Sequence, residues 1–183
     1  MNVYILRHGE TTWNAGRKIQ GQCDEGVLNE NGILQAKQAR KEILGVEFHA
    51  VYSSPLKRAR QTAEIVTDGR DDILFDERLM ERSYGDFEGA VYETLDDFYQ
   101  EIWDIRVNDL SKYGNIETIP ALFQRAADVI CDLKKRHGKD ENVLIVCHGG
   151  VVRALHFNLV GYQEDTKIGE FWTKNCQVRK YII

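Results

Sequence analysis

The chain has 183 residues, the length of one globular unit at roughly 100–200 residues per domain. Its 24 Lys and Arg against 29 Asp and Glu leave a net charge of −5, which argues against a nucleic-acid partner held by excess cations. An apolar content of 43% suffices for a real core and excludes wholesale disorder. No apolar run approaches the ~18 residues of a membrane span, and MNVYILRHGE passes from a short apolar run straight into charge, unlike a secretory signal.

In chain order, Val3–Leu6 is a continuous apolar run ending at Arg7-His8-Gly9, the pattern of a strand covered on both faces. Asn29 to Leu44 predicts a helix, with Ile33, Ala36, Ala39 and Ile43 at helical spacing and Gly45 placed to end it. Phe48–Tyr52 reads as a second strand. Ser54-Pro55 then offers an N-cap and a first-position proline for a helix running to Thr67. Ile73–Phe75 is a short third strand, and Tyr92–Trp103 and Ala121–Arg136 read as helices, the second closed by His137-Gly138. Val143–Cys147 is the strongest strand in the chain. His148-Gly149-Gly150 follows it and opens a helix to Val160, and Gln177–Ile182 makes the last strand. Strands alternating with helices predict an α/β fold around a mostly parallel central sheet. With two prolines and no Ser/Gly/Pro-rich stretch, residues 1–183 read as a single domain.

Cys23, Cys131, Cys147 and Cys176 lie far apart, with no CxxC pair and no Cys/His cluster at zinc spacing. The expectation is therefore reduced thiols in a cytoplasm, no metal and no cofactor.

One local design occurs twice. VYILRHGE and VLIVCHGG each run a buried strand into His-Gly, and ligands of parallel sheets bind at the carboxyl ends of the strands. If the two strands are neighbours, His8 and His148 emerge side by side. Arg58 falls in the first turn of a helix after another strand, where unpaired N–H groups attract anions. Its guanidinium and that of Arg7 add forks suited to phosphate oxygens.

Arg7-His8-Gly9-Glu10-Thr11, Trp13-Asn14, Ser53-Ser54-Pro55-Leu56 with Arg58 to Ala63, Glu81…Gly85…Glu88-Gly89 and His148-Gly149-Gly150-Val151 resemble, in order, the motifs of the histidine phosphatase superfamily. The resemblance to this phosphoglycerate mutase-like group covers most of the chain and implies a three-layer α/β/α architecture. It implies that His8 is a nucleophile carrying phosphorus as a phosphohistidine, with Arg7, Arg58 and His148 in the phosphate pocket. It makes Asn14 and Gly149 phosphate contacts and Gln20-Gly21 part of the pocket wall. Glu81 becomes the proton donor to the departing alkoxide. Glu88 is the rival carboxylate, with a better fit to a structural role. Arg82 and Tyr84 resemble residues that touch the organic part of the substrate.

Three departures bear on the reaction. Cys147 precedes His148 where many relatives carry Ser or another small residue, which raises redox sensitivity against the favoured reading of a buried, inert strand cysteine. Between Ala90 and Glu117 seven acidic residues face only Arg106 and Lys112, with no adjacent arginine pair. That acidity is expected to repel a second phosphate, and the chain lacks the extended tail of the longer mutases. The function implied is a metal-independent phosphatase, of the histidine acid type, acting on a small phosphomonoester. A cofactor-dependent phosphoglycerate mutase and a silent phospho-ligand binder are the rivals. The organic part of the substrate and the oligomeric state are not legible.

Overall fold

The computed structural model describes residues 1–183. Five strands form the sheet: β1 (Asn2–Arg7), β2 (Ala50–Ser53), β3 (Leu74–Phe75), β4 (Asn142–Cys147) and β5 (Val178–Ile182), in spatial order β3-β2-β4-β1-β5. All pairings are parallel except that of β5 with β1. The helices are α1 (Thr12–Ala15), α2 (Glu30–Glu42), α3 (Lys57–Val66), α4 (Tyr99–Ile102), α5 (Ile119–Arg136) and α6 (Gly149–Val160).

Alternation along the central strands builds the layers. Val3 and Ile5 of β1, with Val143, Ile145 and Cys147 of β4, face one side and pack against Ala126, Val129 and Leu133 of α5 and Val151 and Leu155 of α6. Leu6, Leu144 and Val146 face the other side, against Ala36 and Ala39 of α2 and Ala59 and Ala63 of α3. Both faces are apolar because both are covered, as the uninterrupted runs predict. The result is a three-layer α/β/α fold.

Local differences have local causes. Asn29 caps α2 by accepting from Gly32 N (2.8 Å), yet Ile33 is exposed on its outer face. α3 begins at Lys57, with Leu56 rather than Ser54 at the N-cap position. Asp24 accepts from Lys57 N (2.6 Å), while the Ser54 hydroxyl is engaged with His148 (2.8 Å). The stretch expected as a helix at Tyr92–Trp103 is a 3-10 turn over Tyr92–Phe98 followed by the single turn of α4.

Candidate active site

In β1 and β4, paired in parallel, Arg7 stands opposite Cys147, and His8 N donates to Cys147 O (2.9 Å). The next residue of each strand is a histidine. His8 and His148 therefore emerge side by side, with ring centroids 5.1 Å apart and both side chains buried.

The two rings are held differently. His8 Nδ1 lies 2.7 Å from Gly9 O. A carbonyl oxygen only accepts, so Nδ1 carries the proton and Nε2 keeps its lone pair. Gly9 N in turn donates to Thr62 Oγ1 (3.0 Å), which fixes the loop. His148 Nε2 lies 2.8 Å from Ser54 Oγ, and its Nδ1 is buried without a partner. Burial, then the positive charges of Arg58 and Arg7, holds His8 well below the ordinary imidazole range. Burial and Arg58 act alike on His148. Both rings are neutral at physiological pH.

Arg58, fully buried in the first turn of α3, donates Nη2 to Gly21 O (2.6 Å) and Nη1 to Cys23 O (2.8 Å). Arg7 donates Nη1 to Thr173 O (2.8 Å). In each guanidinium Nε is buried and unpartnered. Backbone carbonyls thus aim the two forks and occupy part of each, leaving Nε–H and the remaining Nη hydrogens for a ligand.

Glu81 accepts from Gly150 N (3.0 Å) and Arg82 N (2.8 Å) and lines the main cavity with Arg7, Gly149 and Gly150. A Cβ at position 150 would stand 2.5 Å from Glu81 Oε1, so glycine is what admits the carboxylate there. Glu88 lies elsewhere: it accepts from Gln22 N (2.9 Å) and Tyr84 N (3.0 Å) and joins two loops. Asn14 lines a neighbouring cleft with Arg7; its Oδ1 accepts from Thr11 N (3.1 Å), which leaves Nδ2 for a ligand. Gln20 is buried and accepts from Thr11 Oγ1 (2.9 Å), and Gly21 meets the site through the carbonyl that binds Arg58.

Tyr84 lines the cavity, and burial pushes its phenol far up, so the hydroxyl stays protonated. Arg82 does not line the cavity. It is fully buried, donates Nε to Glu117 O (2.7 Å) and stacks its guanidinium on Trp103 and Tyr84. Cys147 is fully buried and its thiol is pushed far up, the environment of an inert cysteine.

No acidic side chain of the stretch between Ala90 and Glu117 lines the cavity, although Glu93 holds Arg17, which does. Tyr92, Leu95, Tyr99 and Trp103 are the stretch's contribution to the cavity wall. Glu93 pairs with Arg17, Glu101 with Lys112, Asp104 with Arg106 and Glu117 with Arg125. Repulsion of a second phosphate by that segment is therefore weaker than its composition suggests, because paired charges are largely cancelled locally.

Sequence reasoning did not find Ser54 as a partner of His148, Thr62 as a brace for Gly9, or Arg153 and Trp172 in the cavity wall. Ser54 stood inside a quoted motif; Trp172 carried no local signal. No group of three His, Cys, Asp or Glu side chains is arranged to hold a metal, and no helix is long and apolar enough to cross a membrane.

The family model described as the histidine phosphatase superfamily (branch 1) matches residues 3–182. The metal-independent phosphoserine phosphatase of Arabidopsis thaliana is 39% identical over 165 residues, spanning 86% of this chain and 68% of its own. Phosphoglycerate mutase-like protein 4 of the same plant is 36% identical over 160 residues, spanning 84% and 69%. A mutant phosphoserine phosphatase from Entamoeba histolytica, solved with phosphoserine, superposes with a TM-score of 0.84 at 28% identity over 99% of this chain and 90% of its own. The chain belongs to the histidine phosphatase superfamily. The phosphatases among these relatives support the activity class of a phosphoric monoester hydrolase.

Proposed function

We propose that this single catalytic domain hydrolyses its phosphomonoester in two steps through a phosphohistidine on His8, in the manner of a histidine acid-type phosphatase. The observation that carries this reading is the His8 Nδ1–Gly9 O hydrogen bond, which leaves Nε2 as the free lone pair among Arg7, Arg58 and His148. Nε2 attacks phosphorus, the ester P–O bond breaks, and Glu81 gives its proton to the departing alkoxide. A water then loses a proton to Glu81 and attacks the phosphohistidine. The P–N bond breaks, its electrons return to Nε2, and inorganic phosphate leaves. Arg7 Nε, Arg58 Nε, His148 Nδ1, Asn14 Nδ2 and the Gly149 backbone at the start of α6 bind the phosphoryl oxygens, whose negative charge spreads in the transition state.

Relatives named phosphoserine phosphatases make O-phosphoserine the first substrate to assay. Four unpaired cysteines suit work in a reducing compartment, the cytoplasm. The test against isomerisation follows 3-phosphoglycerate with and without 2,3-bisphosphoglycerate, measuring free phosphate and 2-phosphoglycerate together. Hydrolysis exceeding isomerisation, with no need for the bisphosphate, is expected. Rapid primer-dependent isomerisation with little phosphate released overturns the reading.

A further inference from the structure

The cavity, its phosphate-binding edge included, has a volume of about 350 Å³; beyond that edge six rings wall it, Tyr84, Tyr92, Tyr99, Trp103, Phe171 and Trp172, alongside Arg17 and Arg153. Pockets of roughly 300–1,000 Å³ bury ligands of drug size. A phosphorylated three-carbon acid has neither the bulk to fill this space nor a flat face to meet its walls.

Trp172 is the unusual member. The residue is 64% exposed, although its chain neighbours are half-buried (Phe171) and buried (Thr173). The backbone that presents it is pinned at three successive carbonyls, each by a different arginine. Arg153 donates to Phe171 O (2.7 Å), Arg179 to Trp172 O (3.2 Å) and Arg7 to Thr173 O (2.8 Å). An exposed indole on a mobile tip would need no explanation. One held outward by a fixed backbone beside a reactive centre is a preorganised contact surface. The ring lies 5.4 Å from the Arg7 guanidinium carbon, and Trp172 and Tyr92 each line both the main cavity and the cleft that holds Asn14. Arg7, which immediately precedes His8, lines the same two spaces.

We infer that Trp172, with Tyr92, stacks the organic part of the substrate, and that the preferred class is a phosphomonoester carrying a planar aromatic ring. Stacking on aromatic side chains tolerates many ring chemistries, because every such ring has a π face. The inference rests on the phosphatase reading and adds the substrate class to it.

The experiment compares ring-bearing esters, adenosine 5′-monophosphate and 2-phenylethyl phosphate, with O-phosphoserine and 3-phosphoglycerate. All four release a primary alkoxide, so leaving-group chemistry is matched. The wild type is expected to favour the ring-bearing esters in kcat/KM. Trp172→Ala should lower the ratio of ring-bearing to ringless kcat/KM by roughly tenfold, chiefly through KM, and Trp172→Phe should restore most of it. The ratio is internal to each preparation, so partial misfolding or a shift of Arg7 cancels. A wild type that prefers the ringless esters, or a ratio unchanged in Trp172→Ala, overturns the substrate class and leaves the phosphatase reading standing. Failure to hydrolyse any of the four overturns both.

Discussion

Ser54 Oγ lies 2.8 Å from Nε2 of His148, and Leu56 N donates to the same hydroxyl oxygen (3.3 Å). That hydroxyl has a proton to give, and donating it to Nε2 leaves His148 Nδ1–H as a donor toward the phosphate. Ser54 thereby orients the ring of its neighbour, and it suits the tautomer that aims Nδ1–H at the phosphate.

Ser54→Ala should therefore weaken catalysis without unfolding the chain. We expect kcat/KM to fall about tenfold, the value of one lost orienting hydrogen bond. Vanadate affinity should fall with it, and the thermal midpoint should change little. Unchanged kinetics in this variant would show that His148 needs no such orientation.

His8 gives the pH behaviour a definite sign. Burial, then Arg58 and Arg7, lowers its affinity for protons, and only the Gly9 carbonyl opposes them. Neutral His8 is the reactive form, so a depressed value keeps the nucleophile competent as pH falls through 6.5. The acid limb of kcat/KM that belongs to His8 should lie well below that value. An NMR titration of the His8 ring nitrogens should show a neutral imidazole across the same range. A protonation at or above pH 6.5 would contradict the electrostatic account.

Much of this arrangement was legible in the chain. Two apolar runs ending in His-Gly, with Arg58 after a third, predict a sheet rim carrying two histidines and a guanidinium, and β1 lies beside β4 as that requires. The wall of the cavity was not legible. The helix expected over Tyr92–Trp103 did not single out Tyr92, Leu95, Tyr99 and Trp103, and their acidic neighbours dominate the composition; only the tertiary fold brings these side chains into the cavity wall and the charges into local pairs. Arg82 matched a substrate-binding pattern, yet packing sends it behind Trp103. Glu88, weighed against Glu81 as the acid, joins two loops through backbone N–H groups.

Glu81 should reveal its role through the leaving group. Glu81→Gln keeps the shape and an acceptor for Gly150 N but has no acidic proton. Turnover of alkyl phosphates should drop about 100-fold or more, in the range of general acid catalysis. An activated aryl phosphate, which leaves unaided, should be much less affected. Equal losses on both would remove Glu81 from the acid role.

Arginines, not a metal, are assigned the phosphate charge. Activity should survive exhaustive EDTA treatment, and vanadate, which mimics five-coordinate phosphorus, should inhibit competitively. Loss in chelator that one divalent ion restores would overturn the assignment.

The central claim is the covalent bond between His8 Nε2 and phosphorus. The direct measurement quenches the wild type during turnover of a phosphorus-labelled ester and locates the label by peptide mapping. We predict acid-labile, base-stable label on His8, absent from His8→Ala, whose turnover should be lower by roughly a thousandfold or more. Turnover near the wild-type rate in His8→Ala, or label on another residue, would contradict the account.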